Sequence, residues 1–167
     1  MIKKILLLLV FTSFTSQAQK EGNNEIKINL PFMIAGMPEI SYERIIDDSA
    51  TFGISMMFSL ETFDKINTRF VATPYYRLYF GKEKAKGFFI EANAAIINQK
   101  NYLMFSDTET ATTTNFGLGA AIGAKFLNKN GYIGELYAGM GRLFGVPETA
   151  SFDKLYPRVG LNIGKRF

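Results

Sequence analysis

The chain has 167 residues, 47% of them hydrophobic and 20% charged, and its 19 basic and 15 acidic side chains give a formal net charge of +4. That length and balance suit one domain, and the charge is too weak to call for nucleic acid as a partner. Cys and His are both absent, which excludes disulfides, thiolate metal sites, a lipid on an N-terminal Cys and any Ser-His-Asp or Cys-His hydrolase; no catalytic, cofactor-binding or metal-binding residue is expected.

Met1-Ile2-Lys3-Lys4 is a short positive start, Ile5 to Phe11 an unbroken apolar run, and Ser16-Gln17-Ala18 a small-x-small cleavage signal. The apolar run falls well short of the ~20 residues that a spanning helix needs. A signal peptide over 1–18 is therefore expected, followed by a single domain over 19–167. Loss of Lys3 and Lys4 leaves 17 bases against 15 acids, about +2 net.

From residue 25 onward the dominant period is two, and it recurs about eight times. The pattern predicts strands over 25–34, 38–46, 51–60, 68–80, 87–98, 113–126, 132–144 and 155–167. In the first, Ile26, Ile28, Leu30, Phe32 and Ile34 oppose Lys27, Asn29, Pro31 and Met33. In the third, Phe52, Ile54, Met56, Phe58 and Leu60 oppose Gly53, Ser55, Met57 and Ser59. In the fourth, Arg69, Tyr75, Arg77 and Tyr79 share a face, and Pro74, which cannot donate a ladder bond, predicts a bulge or distortion. The sixth sets Phe116, Leu118, Ala120, Ile122, Ala124 and Phe126 against Gly117, Gly119, Gly123 and Lys125. The last sets Val159, Leu161 and Ile163 against Arg158, Gly160, Asn162, Gly164 and Arg166.

Alternation alone also fits a soluble sandwich or lipocalin. Two features favour a membrane barrel. The apolar face runs unbroken over five or six positions, beyond an ordinary strand. The opposite face mixes glycine with mid-strand charge, which suits a narrow interior where glycine makes room for long side chains from the far wall. Short polar joins at 47–50, 81–86 and 127–131 alternate with generally longer ones at 61–67, 99–112 and 145–154, as periplasmic turns and outer loops do in such barrels. Tyr42, Phe52, Phe80, Phe88, Phe126, Tyr132 and Phe167 at one end, and Phe32, Phe58, Phe70, Phe116 and Phe144 at the other, read as two aromatic girdles.

The signal peptide, the alternating strands and the terminal stretch Tyr156-Pro157-Arg158-Val159-Gly160-Leu161-Asn162-Ile163-Gly164-Lys165-Arg166-Phe167 resemble small outer-membrane β-barrel proteins of the OmpA/OmpX-like kind. The resemblance implies a closed, all-β, antiparallel up-and-down transmembrane barrel in the cell outer membrane. It implies outer-membrane lipid and lipopolysaccharide as surroundings, and a terminal Phe167 read by the outer-membrane assembly machinery. Lys165 departs from the apolar alternation, as a lysine at an interface can by snorkelling. A monomer is expected.

Parity sends Glu39, Glu43, Glu91 and Glu135 into the lumen, with Lys27, Arg69, Arg77, Lys125, Arg158 and Arg166. A hairpin that pairs Phe80 with Phe88 sets Arg77 opposite Glu91, and the next sets Lys125 opposite Glu135. Glu39 and Glu43, at i and i+4, stand roughly 13 Å apart along a strand, too far to cooperate as catalytic carboxylates. Eight strands leave an interior that side chains can fill, so a plugged, salt-bridged core is expected rather than a water-filled pore. The polar run Thr108 to Thr114 is expected in the longest loop. Three roles stay open at this point: a structural or surface-interaction barrel, a narrow channel or carrier for small molecules, and a soluble periplasmic ligand-binding barrel.

Overall fold

A computed structural model describes residues 22–60, 68–103, 106–144 and 154–167, with the side chains of 99–112 outside that description. The expected signal peptide, the connection 61–67 and most of the one at 145–154 also lie outside the described residues.

Eight strands close into a barrel in sequence order: β1 (Asn24–Asn29), β2 (Glu39–Ile45), β3 (Ala50–Phe58), β4 (Thr68–Tyr79), β5 (Gly87–Leu103), β6 (Ser106–Leu127), β7 (Tyr132–Phe144) and β8 (Leu155–Arg166). Every neighbour is antiparallel, and β8 returns to β1 through pairs such as Ile28–Ile163. Closure leaves no open edge along the wall. The period of two in the sequence becomes inside and outside: β2 alternates without exception, Glu39, Ser41, Glu43 and Ile45 buried, Ile40, Tyr42 and Arg44 exposed. The glycines fall largely within. A Cβ on Gly141 would land on the Tyr156 ring, and one on Gly53 on the Tyr75 ring.

The outer surface is apolar. Ile40, Phe52, Met56, Leu78, Ile90, Leu118, Ile122, Leu136, Met140, Leu161 and Ile163 are all exposed. Among the described side chains, the charges on the strands that do not enter the lumen are Arg44, Arg69, Arg142 and Lys165, each near a strand end, and Lys165 lies 5.0 Å above the Tyr132 ring. Aromatics gather at both rims: Phe52, Phe80, Phe88, Phe126 and Tyr132 toward the chain termini, Phe58, Phe116 and Phe144 toward the other end, where Phe70 tilts against Phe58 at 5.1 Å.

Three local expectations are corrected. The first strand stops at Asn29 rather than Ile34, and Leu30–Ile34 forms a short helix, α1. Pro31 lacks the donor that a strand ladder needs but fits a first helical turn. Its carbonyl accepts from Ala35 at 3.0 Å, and Gly36, at φ 78°, reverses the chain toward β2. Phe32 thereby leaves the outer girdle and lines a cavity at this end. Second, 99–112 is not a loop: β5 and β6 continue to Leu103 and from Ser106 as one long hairpin, with register shifts around Tyr102. Threonine is β-branched and holds extended backbone even where no apolar face is required of it. Third, Pro74 distorts the wall as expected, but without a bulge: β4–β5 pairing is interrupted at Thr73 and Pro74 and resumes at Tyr75–Asn93 without slip, while Pro74 pairs with Ile54 in register on the other side. The bulge falls at Arg69, between Thr68 and Phe70.

The short turns are tied down. In the first, the Ser49 amide and hydroxyl donate to Asp47 at 2.7 and 2.9 Å and hold its carboxyl below the usual carboxylate range. In the second, over 81–86, Ala85 adopts φ 44°, is fully buried, and donates its N–H to the Asp48 carbonyl at 2.7 Å. That turn folds across the barrel mouth beside the chain termini.

Candidate functional site

The interior is built in layers. Near the termini, Ile45, Tyr79, Ala85, Phe89, Ala121 and Tyr137 form an apolar cluster. Toward the other end, Ala95, Ile97, Leu143 and Tyr156 form a second, with Val71 against it. Five carboxylates (Glu25, Glu39, Glu43, Glu91, Glu135) and five cations (Lys27, Arg77, Lys125, Arg158, Arg166) are joined in ion pairs through the barrel, all buried except the half-buried Arg166.

Arg77 sits at the middle. It reaches Glu91 through Nε at 2.8 Å, and Glu43 and Glu135 through Nη1 at 2.9 and 2.7 Å. Its guanidinium lies 4.4 Å from the Tyr75 ring centre and 4.3 Å from that of Phe89. Planar delocalised charge suits this place, since it bonds in its plane and stacks across it. Glu43 is the matching anion: it accepts from Lys27, Lys125 and Arg77 and from the hydroxyls of Tyr75 and Tyr79. Lys27 also donates to Glu135 across the lumen at 2.8 Å, and Lys125 to Glu25 at 2.7 Å. Arg158 joins Glu91 to Glu39, both at 2.9 Å. At the terminal mouth Arg166 grips Glu25 at 2.6 Å and caps the Lys84 and Ala85 carbonyls at 2.9 Å.

Of the residues that parity assigns to the lumen, Arg69 stands apart. The bulge at its position breaks the alternation, and its side chain is exposed at the rim. Glu25 is the anion that the sequence reading omits. It shares parity with Lys27, but lies one residue inside a strand start that depends on distant partners, the Asn24 and Phe167 backbones exchanging bonds at 3.1 and 2.9 Å. With Arg69 out and Glu25 in, the enclosed charges balance among the described residues. Glu39 and Glu43 answer to different cations and share none. Asn29, Asn93 and Asn162 extend the network by donating to Glu39, Glu91 and Glu135; uncharged amides carried no signal beyond their parity.

The packing leaves little slack. A Cβ on Gly160 would come within 2.5 Å of Tyr137 Cε1 and 2.6 Å of its hydroxyl. That ring is pinned between Arg158 at 4.7 Å and Arg77 at 5.3 Å. Gly160→Ala is therefore expected to destabilise the barrel by about 1–3 kcal/mol, read from denaturant unfolding, the range for overpacking a filled core.

An antiparallel up-and-down barrel of eight strands with ionic side chains within and apolar ones without defines a class: a small closed barrel of inverted polarity. The chain belongs to a family described as protein of unknown function (DUF3575), whose model matches residues 4–152. The N-terminal β-barrel domain of Pseudomonas aeruginosa OprF has the same fold, with a TM-score of 0.56 and 18% identity over 89% of this chain and 100% of that one. No curated protein matches the chain.

Proposed function

We propose that the chain is an outer-membrane β-barrel of a Gram-negative cell, exported by cleavage of residues 1–18, with a structural or surface-interaction role. The observation that carries this reading is the polarity. Ile122 and Leu118 are 68% and 60% exposed, while Glu43 and Lys27 are fully buried. In water that arrangement costs energy on both faces; in a bilayer the outer face is solvated by lipid. The aromatic rims, the end-placed Arg44, Arg142 and Lys165, and the closed wall all suit a spanning barrel. Lipid and lipopolysaccharide are its surroundings, and the assembly machinery reads the terminal Phe167 on the alternating β8. The barrel is a monomer.

The interior is plugged rather than conducting. Ten charged groups pair with one another there, and the 81–86 turn with Ala85 lies across one mouth. Eight strands give a lumen that such side chains fill.

Cell fractionation tests the location: the chain is expected with outer membrane, and its unboiled sample to run at a different mobility from the boiled one on a detergent gel. A chain that stays dissolved in plain buffer after export ends the membrane reading. Planar-bilayer recording tests the interior separately: no steady open channel is expected, and a reproducible conductance altered by Arg77→Gln overturns the plugged core while leaving the location intact.

A further inference from the structure

The ionic interior stops at the Glu39–Arg158 pair. Beyond it, toward the end that carries α1, lies a cavity of about 270 Å³. Val71, Ile97, Leu143 and the Tyr156 ring supply apolar walls. Ser55 and Thr73, paired across β3 and β4, are among its lining residues. Ser55 is 1% exposed, yet its Oγ has no hydrogen-bond partner. A buried hydroxyl in that state calls for a partner that the protein itself does not supply.

We propose that this cavity binds a small neutral molecule, an apolar body carrying one hydroxyl that bonds to Ser55. Size follows from volume: a 150 Å³ apolar cavity holds benzene, so 270 Å³ takes roughly 11 non-hydrogen atoms. Neutrality follows from the floor. Glu39 has one oxygen bound by Arg158 and the other by Asn29, and Arg158 is divided between Glu39 and Glu91. An ionic head would find its counter-charge already engaged, whereas a hydroxyl needs only the unpartnered Ser55. The cavity lies in the fold whatever surrounds the barrel, so this site stands independently of the membrane reading.

The probes are 2-naphthol and naphthalene, the same body with and without a hydroxyl. They are titrated into the folded, isotope-labelled chain in detergent micelles while backbone amide shifts are followed. Saturable shifts are expected at Ser55, Val71, Thr73 and Ile97, with 2-naphthol favoured by roughly fivefold through its added hydrogen bond. Ser55→Ala, which removes only an unpartnered hydroxyl and keeps the fold, is expected to cut the ratio of the two midpoints by about that factor; partition into detergent is common to both chains and cancels. Val71→Phe, at a half-buried position, is expected to weaken both probes alike by reducing the cavity. A cavity that holds only water gives no saturable shift with either probe and overturns the site. A midpoint ratio unmoved by Ser55→Ala overturns the role of the hydroxyl and with it the proposed ligand class.

Discussion

Arg77→Ala is expected to lower the unfolding free energy of the barrel by about 3–5 kcal/mol, the cost of leaving buried charges without their partner. Arg77 touches three carboxylates at once, Glu43, Glu91 and Glu135. Only Glu91 keeps a strong second cation in Arg158, while Glu43 and Glu135 keep lysines already shared with other acids. The substitution also removes the guanidinium from between the Tyr75 and Phe89 rings, so packing is lost together with charge. Arg166→Ala makes the comparison. That side chain lies at the mouth with 8% of its surface exposed, and its partner Glu25 retains Lys125 at 2.7 Å. Its loss is expected to cost less, about 1–2 kcal/mol, because Glu25 keeps a buried cation and is not left without a partner. Urea unfolding of the two variants in one lipid or detergent reads the difference. A filled, dry interior requires a wide gap between them. A water-filled lumen would screen Arg77 as well and bring both to about 1 kcal/mol or below, which would sink the plugged core.

The fold was legible because a barrel wall obeys one rule, alternation, and strands 51–60, 113–126 and 132–144 carry it without interruption. Where a second demand entered, alternation misled. Leu30, Phe32 and Ile34 continue the outward pattern of Ile26 and Ile28, but the chain must reverse before Glu39, and Pro31 starts a helix there. The stretch 99–112 reads as loop because its run of Asn, Asp and Thr breaks the apolar alternation in the sequence, yet the strands of the hairpin continue to Leu103 and from Ser106. The interior was legible to the level of local pairs. Hairpin geometry alone places Arg77 across from Glu91 and Lys125 across from Glu135. It says nothing about Lys27 meeting Glu135 or Lys125 meeting Glu25, which lie 108 and 100 residues apart. Such contacts depend on strand tilt and stagger, which a period of two does not encode. Nor does parity separate a tyrosine that fills space from one that bonds: Tyr75 and Tyr79 both point inward, and only the folded lumen shows their hydroxyls meeting on Glu43.

Ile122→Arg distinguishes the surroundings of the barrel, since its expected effect depends on which solvent the outer wall meets. Ile122 is 68% exposed and lies on β6 between the outward aromatics Phe116 and Phe126, far from either rim. In a bilayer that is midplane depth, and an arginine there is expected to cost about 2–4 kcal/mol. On a water-facing wall the same change would fall within about 0.5 kcal/mol, as surface substitutions do, or raise solubility. A rim position supplies the internal control: Phe126→Arg, on the same strand beside the turn at Asn128, is expected to cost no more than about 1 kcal/mol, because near an interface the charge reaches water. Unfolding in phospholipid vesicles, followed by the gel shift between folded and unfolded forms, measures both. Depth dependence, with the midplane variant losing more than the rim variant, is a property that only lipid imposes on an outer face. Equal and small effects at the two positions would place water against that wall, and the enclosed ions would then need another explanation.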